Sequence, residues 1–392
     1  MDRTARYRAM NKKKKKPKYF VGKIHLWLGL SSGLVVFIVA LTGCIFVFQK
    51  EISDLCYRRA FFVKPQHTAP LPVSRLCTLA QEALGPGQPL NNITTYRDPA
   101  RAWEFMAYKM NDTALTYFGA VQYCRSVFVN PYTGAVTGFR NYRTDFFIIV
   151  KYLHWSLLLN TPYGQPVVGV ATLIFVVMLL TGLALWWPKK WNKANRKSRL
   201  QIKTDARIKR LVYDLHNVLG FYILLPILLV ALTGLVWAFS WFRAVVYVAA
   251  SGSAKPPVAA TVTSRPAPVS NSPADLAYNT MLLQYPAAER INISPAAGKE
   301  GTIYMFAYSD KETYYNYEAV QFDQYNGAVL HKERSKEKNR GERLIGMNYD
   351  IHVGAIGGIA GKIIAFLASL VTASLPVTGF CIWWGRGRRS VG

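Results

Sequence analysis

Four long apolar stretches dominate the hydrophobic pattern of the 392-residue chain. A helix needs about 20 mainly apolar residues to cross a hydrocarbon core of about 30 Å. Each stretch is long enough, so each is predicted to span a membrane. The four predicted spans are residues 19–48, 166–187, 211–239 and 361–384.

Shorter patterns fill the two long connections, between the first and second spans and between the third and fourth. In the first connection, residues 73–84 have the period of a helix, and 92–96, 103–108 and 126–130 alternate at the period of a strand. Pro131-Tyr132-Thr133-Gly134 is typical of a turn. The second connection has a helical segment at 274–284 and a strand at 320–323. Each connection is therefore predicted to fold as a small α+β domain.

One pattern recurs four times: a histidine at the head of an apolar stretch, with a Thr-Gly pair further along. The histidine and its threonine are His25 and Thr42, His154 and Thr181, His216 and Thr233, and His352 and Thr378. The spacing is 17 residues in the first and third copies, 27 in the second and 26 in the fourth. Such self-similarity indicates a duplication. The predicted fold is thus a membrane protein with a four-helix transmembrane bundle, built from two tandem repeats that each carry an external α+β domain.

Basic charge fixes the predicted topology. The net charge is +27, and Lys and Arg crowd the first 23 residues, the linker 188–210 and the tail 385–392. Positive segments remain in the cytoplasm, so both termini and the linker are predicted to be cytoplasmic and the two long connections external. The run Lys12 to Lys16 lies beside a span and is interpreted as a topology signal. We expect it to contact anionic membrane lipid rather than nucleic acid.

These features divide the chain into nine predicted segments. They are a basic cytoplasmic arm (1–18), the first span (19–48), the first external domain (49–145), an outer interfacial helix with the second span (146–187), a basic cytoplasmic linker (188–210), the third span (211–242), a connector with the second external domain (243–343), an outer interfacial helix with the fourth span (344–385) and a basic tail (386–392).

The topology places the four histidines in two pairs. His25 and His216 begin spans that start inside, whereas His154 and His352 precede spans that start outside. A duplication with the same orientation relates its halves by a pseudo-twofold axis along the membrane normal, which makes each pair symmetry mates. Two facing imidazoles supply both axial ligands of a haem. The sequence therefore predicts two b-type haems, an inner one on His25 and His216 and an outer one on His154 and His352.

A simpler interpretation of each histidine is an interfacial polar residue at the end of a span. Candidate propionate partners are Lys23 and Arg210 for the inner haem and Lys151 and Arg343 for the outer one, the alternative being that these side chains reach toward lipid headgroups. The Thr-Gly pairs are interpreted as helix-packing positions rather than ligands. His67 and His331 lie outside the repeat and are interpreted as surface residues.

The five cysteines form no Cys-x-x-Cys motif, which argues against covalently attached haem. Cys77 and Cys124 both fall in the first external domain, where an oxidising compartment would permit a disulfide.

The repeated unit resembles the PepSY-associated transmembrane family. The resemblance rests on the histidine-headed span, on the segment Val127-Phe128-Val129-Asn130-Pro131-Tyr132-Thr133-Gly134-Ala135-Val136 and on a span that ends in Thr-Gly-x-x-x-Trp-Trp. It implies an iron-regulated protein of the bacterial inner membrane, similar to di-haem ferric-siderophore reductases, with two periplasmic domains. The second copy departs from the motif, having Asp323-Gln324-Tyr325-Asn326-Gly327 in place of Asn-Pro-Tyr-Thr-Gly.

The leading hypothesis is transmembrane electron transfer by two b-type haems, from an inner-side or quinol donor to an external Fe(III) chelate such as a ferric siderophore. Reduction would loosen the chelate, because hard oxygen ligands hold Fe(II) less well than Fe(III). The cytoplasmic segments carry no flavin or nicotinamide fingerprint, so they do not name the donor. Two alternatives are a component that transports an iron chelate and a membrane protein that regulates a periplasmic peptidase.

Overall fold

The computed structural model describes residues 17–255, 257, 261–269 and 272–387. Most of the predicted basic arm and of the predicted tail lies outside the described residues. Within them, the chain forms sixteen α-helices and eight strands. The helices are α1 (Pro17–Phe46), α2 (Gln49–Cys56), α3 (Arg58–Phe61), α4 (Val73–Leu84), α5 (Tyr117–Ala120), α6 (Phe146–Ser156), α7 (Thr161–Trp186), α8 (Lys193–Leu200), α9 (Ile208–Asp214), α10 (Gly220–Tyr222), α11 (Leu224–Ala238), α12 (Ser240–Ser251), α13 (Pro273–Gln284), α14 (Arg340–Gly346), α15 (Asn348–His352) and α16 (Gly358–Gly387).

Three helices are long and apolar enough to cross a membrane. They are α1, α7 and the stretch Ala355–Gly385, which comprises a 3-10 turn at Ala355–Gly357 and most of α16. A helix of n residues is about 1.5n Å long, so each exceeds the hydrocarbon thickness. The described part of the chain is therefore that of a membrane protein with several apolar helices.

The predicted third span is broken. It consists of Ile208–Tyr222 and Leu224–Ala238, which meet at 66°, and it counts as a fourth span only if the bent pair crosses as one. Pro226 explains the break, since proline lacks an N–H and its ring clashes with the carbonyl four residues earlier, that of Tyr222. The first piece also contains a π-helical turn, Leu215–Leu219. His216 lies in that turn.

The eight strands form one antiparallel sheet in the order β4-β3-β2-β1-β5-β6-β7-β8. The strands are β1 (Asn92–Tyr96), β2 (Trp103–Met110), β3 (Val121–Val129), β4 (Val136–Asn141), β5 (Arg290–Ser294), β6 (Thr302–Tyr308), β7 (Tyr317–Asp323) and β8 (Val329–Glu333). The pairing of β1 with β5 sets Ile93 opposite Ile293. Across this seam, the amides of Asn92 and Asn292 bond each other at 2.9 and 2.8 Å. The two long connections, predicted to fold as separate external domains, thus share one sheet.

One face of the sheet packs against α4 and α13. The alternating residues of each strand bury one side, as with Phe105 on β2 and Met305 on β6, and the helices contribute Leu76 and Met281. All four side chains are 0% exposed. Asp275 of α13 accepts the backbone N–H of Ser74 at 2.9 Å, which ties the two helices together. A single α+β core therefore serves strands and helices from both halves of the sequence.

The chain divides into two compact units. The first comprises residues up to Leu41, Val170–Leu232 and Leu367 onward. Its core is a cluster of buried apolar helix residues, Val36, Phe175, Leu179, Ile223, Ile227, Ala231 and Ala368. The second unit comprises Thr42–Gly169 and Thr233–Phe366 and contains the sheet.

The disulfide considered between Cys77 and Cys124 is not formed. Cys77 lies on α4 and Cys124 on β3, and both are free thiols. Burial raises the pKa of Cys77 to about 12 and that of Cys124 to about 11, so both are poor nucleophiles.

We expect Met281→Ala to lower the free energy of unfolding of the sheet-containing unit by about 2–5 kcal/mol, because it leaves a cavity in a fully buried core. Leu283→Ala, two residues along the same helix at a position 83% exposed, should change it by less than about 0.5 kcal/mol. Thermal melts of the detergent-solubilised protein compare the two. Equal losses would contradict the assignment of this core.

Candidate functional site

The structure brings His25 and His216 together in the first unit. His25 lies on α1 and His216 in the π-helical turn. The centres of their rings are 6.5 Å apart, and the ring planes meet at 86°. Single-turn π-bulges inside α-helices are frequent at functional sites, because the extra residue re-aims a side chain.

Each of these imidazoles is held through Nδ1 by a threonine. The distance from Nδ1 of His25 to Oγ1 of Thr181 is 3.0 Å, and from His216 to Thr378 it is 2.9 Å. The threonine hydroxyls donate their own protons to helix carbonyls, Thr181 to Val177 and Thr378 to Ser374, at 2.9 Å in both cases. Each Oγ1 therefore accepts from Nδ1–H, and this tautomer puts the lone pair of the imidazole on Nε2.

The structure brings His154 and His352 together in the second unit. His154 lies on α6, His352 ends α15, and their ring centres are 6.0 Å apart with planes at 69°. Nδ1 of His154 is 3.4 Å from Oγ1 of Thr42, and Nδ1 of His352 is 2.9 Å from Oγ1 of Thr233. The ring of Trp237 packs edge-on against His352 at 5.2 Å.

The glycine of the Thr-Gly pair allows the imidazole to approach the helix. A Cβ added at Gly43 would lie 3.0 Å from Cε1 of His154, and one at Gly182 would lie 3.4 Å from Cε1 of His25. At Gly379 the corresponding distance, to Cε1 of His216, is 3.3 Å. The Thr-Gly pairs were interpreted from the sequence as packing positions. Their contact with the histidines was missed, although the recurrence of one Thr-Gly pair with each of the four histidines was a signal of it.

Each Thr-Gly pair holds the histidine of another copy of the repeat. Thr42 follows His25 in sequence but contacts His154, and Thr181 follows His154 but contacts His25. The same exchange occurs in the second half of the chain. Neighbouring copies thus complete each other's site.

Both pairs fit haem ligation. Two imidazoles bound to opposite sides of one metal ion, each through a bond of about 2 Å, have ring centres about 6 Å apart. The described residues contain no group of three or more His, Cys, Asp or Glu side chains suited to a bare metal ion. Two facing imidazoles suffice for a haem, since its porphyrin supplies the other four nitrogens. His67, by contrast, is exposed, and His331 lies on β8.

The four predicted propionate partners have different surroundings. The ammonium of Lys23 lies 5.9 Å from the ring centre of Tyr19. Arg210 is bonded to Asp214, at 2.9 Å. Arg343 is exposed and donates to the carbonyl of Lys336, so no contact that we observe ties it to His352.

Lys151, the fourth of these residues, lines a cavity in the second unit. The cavity has a volume of about 730 Å³ and lies against the sheet face opposite α4 and α13. The helix of His154 contributes Lys151 and Tyr152, and the helix of His352 contributes Tyr349. The side chain of Lys151 is exposed, and it lines the cavity. Nearby protein atoms nevertheless remove part of the water around its ammonium, and this desolvation lowers its pKa.

A buried aspartate stands two residues before a histidine in each unit. Asp350 is 0% exposed and accepts the backbone N–H groups of Tyr314, at 3.0 Å, and Tyr315, at 2.9 Å. It thereby fixes the loop that presents Tyr314 to the cavity. Asp214 likewise accepts the backbone N–H of Lys203, at 3.3 Å.

A buried ion pair supports the wall of the cavity. Arg140 donates two hydrogen bonds of 3.0 Å to Asp145, which also accepts from the hydroxyl of Tyr57 at 2.9 Å and caps α6 through the N–H of Phe147. Burial by itself would raise the pKa of the Asp145 carboxyl. The bonds from Arg140 and Tyr57 outweigh burial and hold the pKa below its ordinary value.

A family model matches the chain. The family described as the PepSY-associated TM region matches residues 23–386, nearly the whole chain. No curated protein matches the chain. The matched range includes all four histidines and all four Thr-Gly pairs.

We expect Asp145→Asn to destabilise the second unit by about 3–5 kcal/mol at pH 7, because it leaves the Arg140 charge buried without its partner. The folded pKa of Asp145 is lowered, so its contribution is complete above the unfolded value of about 3.9 and is lost as the pH falls below that value. The difference between variant and wild type should therefore shrink below about pH 4. Melting temperatures from pH 7 to pH 3 measure this, with Asp112→Asn, at an exposed position, as the control. A pH-independent difference would contradict the assignment.

Proposed function

The chain belongs to the PepSY-associated TM family, and from this premise we propose that it transfers electrons across the bacterial inner membrane to an external Fe(III) chelate. The electrons come from an inner-side or quinol donor, and the carriers are two b-type haems. The enzyme class is a membrane haem oxidoreductase, a ferric-siderophore reductase.

The proposed architecture is a four-helix bundle made of two tandem repeats. The bent pair of helices serves as the third span, so that each half supplies two spans and four strands of the sheet. The first four strands and the last four are each an antiparallel meander, which supports a duplication. The charge distribution supports cytoplasmic termini, a cytoplasmic linker and a periplasmic sheet.

One observation carries the functional proposal: two imidazole pairs with ring centres 6.5 and 6.0 Å apart. His25 and His216 would hold one haem, and His154 and His352 the other. A haem with two imidazole ligands exchanges single electrons and offers no open position to oxygen. The pairs thus favour electron transfer over oxygen binding.

The chain's own residues orient these ligands. The threonine contact at Nδ1 fixes the tautomer and the rotation of each ring, and such contacts also raise the basicity of a metal-bound histidine. The protein therefore presents Nε2 to the iron. Glycine beside the threonine keeps the ring close to the helix that holds it.

The external chelate follows from the chemistry of iron. One electron converts one Fe(III) to Fe(II), and hard anionic oxygen donors bind Fe(II) less strongly. The released Fe(II) then becomes available to another protein. Lys23 and Arg210 remain proposed propionate partners of the inner haem, and Arg343 remains one of the outer haem. Lys151, the other residue predicted for the outer haem, lines the cavity, where its charge is open to a different anion.

We expect the wild type to bind two haems, and His25→Ala and His352→Ala to bind one each, because each variant removes one ligand of a different pair. Haem-to-protein stoichiometry and the reduced-minus-oxidised spectrum measure this. His67→Ala, at an exposed histidine outside both pairs, should retain two. Two haems in all three variants would refute the pairing, and the absence of a Soret band in the wild type would refute the function.

We expect Thr378→Val to weaken haem binding at the His25 pair by about 10–100-fold and to shift its reduction potential, because His216 loses the acceptor that fixes its tautomer. Thr372→Val is a matched control on the same helix, since that hydroxyl bonds only to the carbonyl of Ala368 among the contacts that we observe. Redox titration followed at the Soret band separates the two. Identical potentials for both variants would refute the role of Thr378.

A further inference from the structure

The cavity beside the His154 pair has the size of a ligand site. Its volume of about 730 Å³ falls within the range of about 300–1,000 Å³ that is usual for small-molecule sites. Eleven of its 29 lining residues are aromatic, which provides flat surfaces for planar groups. Lys151 lies on the helix of His154, one turn before it. A ligand in the cavity would thus lie next to the proposed outer haem site.

Arginines of the protein already cover many of these aromatic faces. A cation binds favourably over an aromatic ring within about 6 Å of its centre. The observed pairs are Arg101 over Phe62 at 4.6 Å and over Tyr96 at 5.3 Å, Arg140 over Tyr142 at 4.7 Å, and Arg290 over Tyr314 at 4.1 Å. A cationic ligand would find these faces occupied and would be repelled by the guanidinium groups.

Three of the four carboxylates of the lining bond to other side chains, and the fourth, Asp98, accepts the backbone N–H of Ala100 at 3.0 Å. Asp54 is paired with Arg101, at 2.9 Å, and Glu289 with Lys311, at 3.8 Å. Glu104 accepts the hydroxyl of Tyr142 at 2.6 Å. The carboxylates therefore offer little compensation to a cationic ligand.

Two lining cations, in contrast, form no ion pair with a carboxylate among the described residues. Lys151 contacts only the ring of Tyr152, at 5.6 Å, among its observed interactions. Arg290 donates to the carbonyls of Lys311, at 3.2 Å, and Thr313, at 2.9 Å, which orient the guanidinium. The carboxylate of Asp350 interacts with Arg290 electrostatically but forms no ion pair with it. The cavity thus offers an anionic ligand the charge of Lys151 and that of Arg290, the latter partly compensated by Asp350.

We propose that this cavity binds the Fe(III) chelate and selects chelates of net negative charge whose oxygen donors are carried on aromatic rings, as in catecholates. Lys151 and Arg290 bind the anionic oxygens, and lining aromatic residues outside the observed arginine contacts, such as Tyr108 and Tyr349, contact the rings of the chelator. The inference rests on the proposed function for the identity of the metal. It adds the place where the chelate binds and the charge that the site prefers.

Gallium(III) complexes test the site without electron transfer, because Ga(III) resembles Fe(III) in charge and coordination but is not reduced. Calorimetry on the full-length protein in detergent would compare a gallium tris-catecholate, which is anionic, with a gallium trihydroxamate that bears an ammonium group. We expect the anionic complex to bind at least about tenfold more tightly. Lys151→Met should weaken its binding about tenfold, and Lys151→Arg, which keeps the charge, should retain it. Lys109→Met, at an exposed position on β2 outside the lining, should have no effect.

Three results would overturn the proposal: equal or tighter binding of the cationic complex, no binding of either complex at millimolar concentration, or equal effects of Lys151→Met and Lys109→Met. Haem stoichiometry, measured on the same samples, separates this proposal from the proposed function. Two haems without gallium binding would refute the cavity alone. Gallium binding by a protein that takes up no haem would refute electron transfer and leave the chelate site standing.

Discussion

The hydrogen bond between an imidazole Nδ1 and a threonine hydroxyl recurs at all four histidines. This bond orients the ring because the threonine hydroxyl is itself held in place. At Thr181 and Thr378 the hydroxyl donates to the carbonyl four residues earlier in the same helix. The orientation of each ring therefore follows from the packing of one helix on another, with glycine keeping the distance short. A histidine on a solvated or mobile segment would have no such restraint. The histidine and the threonine that restrains one therefore recur together in this chain.

The histidine pairs were predictable from the sequence, but their supports were not. Recurrence and topology alone assigned His25 to His216 and His154 to His352, because a duplication relates matched residues by an axis. Which histidine each threonine contacts depends on how its helix is rotated about its axis, and spacing along the chain does not reveal that rotation. The proline itself was a local signal of the break at Pro226. The apolar run of residues 211–239 is nearly continuous, however, and therefore predicts one unbroken span. No local sequence signal predicts the cavity, because its lining residues are scattered between Phe46 and Tyr349.

The sheet face opposite α4 and α13 carries different side chains in its two halves. Under β1 to β4 this face carries Arg101, Glu104 and Arg140 and borders the cavity. In the second half, the corresponding face of β6 and β7 is covered by aromatic side chains that pack on one another, such as Tyr304 on Phe306 at 4.3 Å and Phe306 on Tyr317 at 5.6 Å. The strand order is thus symmetrical about the seam, whereas the side chains on this face differ, and the cavity lies mainly beneath the first four strands.

The seam between β1 and β5 sets a condition on biosynthesis. Until Arg290–Ser294 has been translated, β1 remains an edge strand with unpaired backbone groups, and at about 5–20 residues per second that interval lasts on the order of 10–40 s. Exposed edges invite pairing with foreign strands, and short polar edges resist it. β1 has five residues and reads Asn-Ile-Thr-Thr-Tyr. Its polar face thus gives the nascent chain protection while the partner strand is still being made.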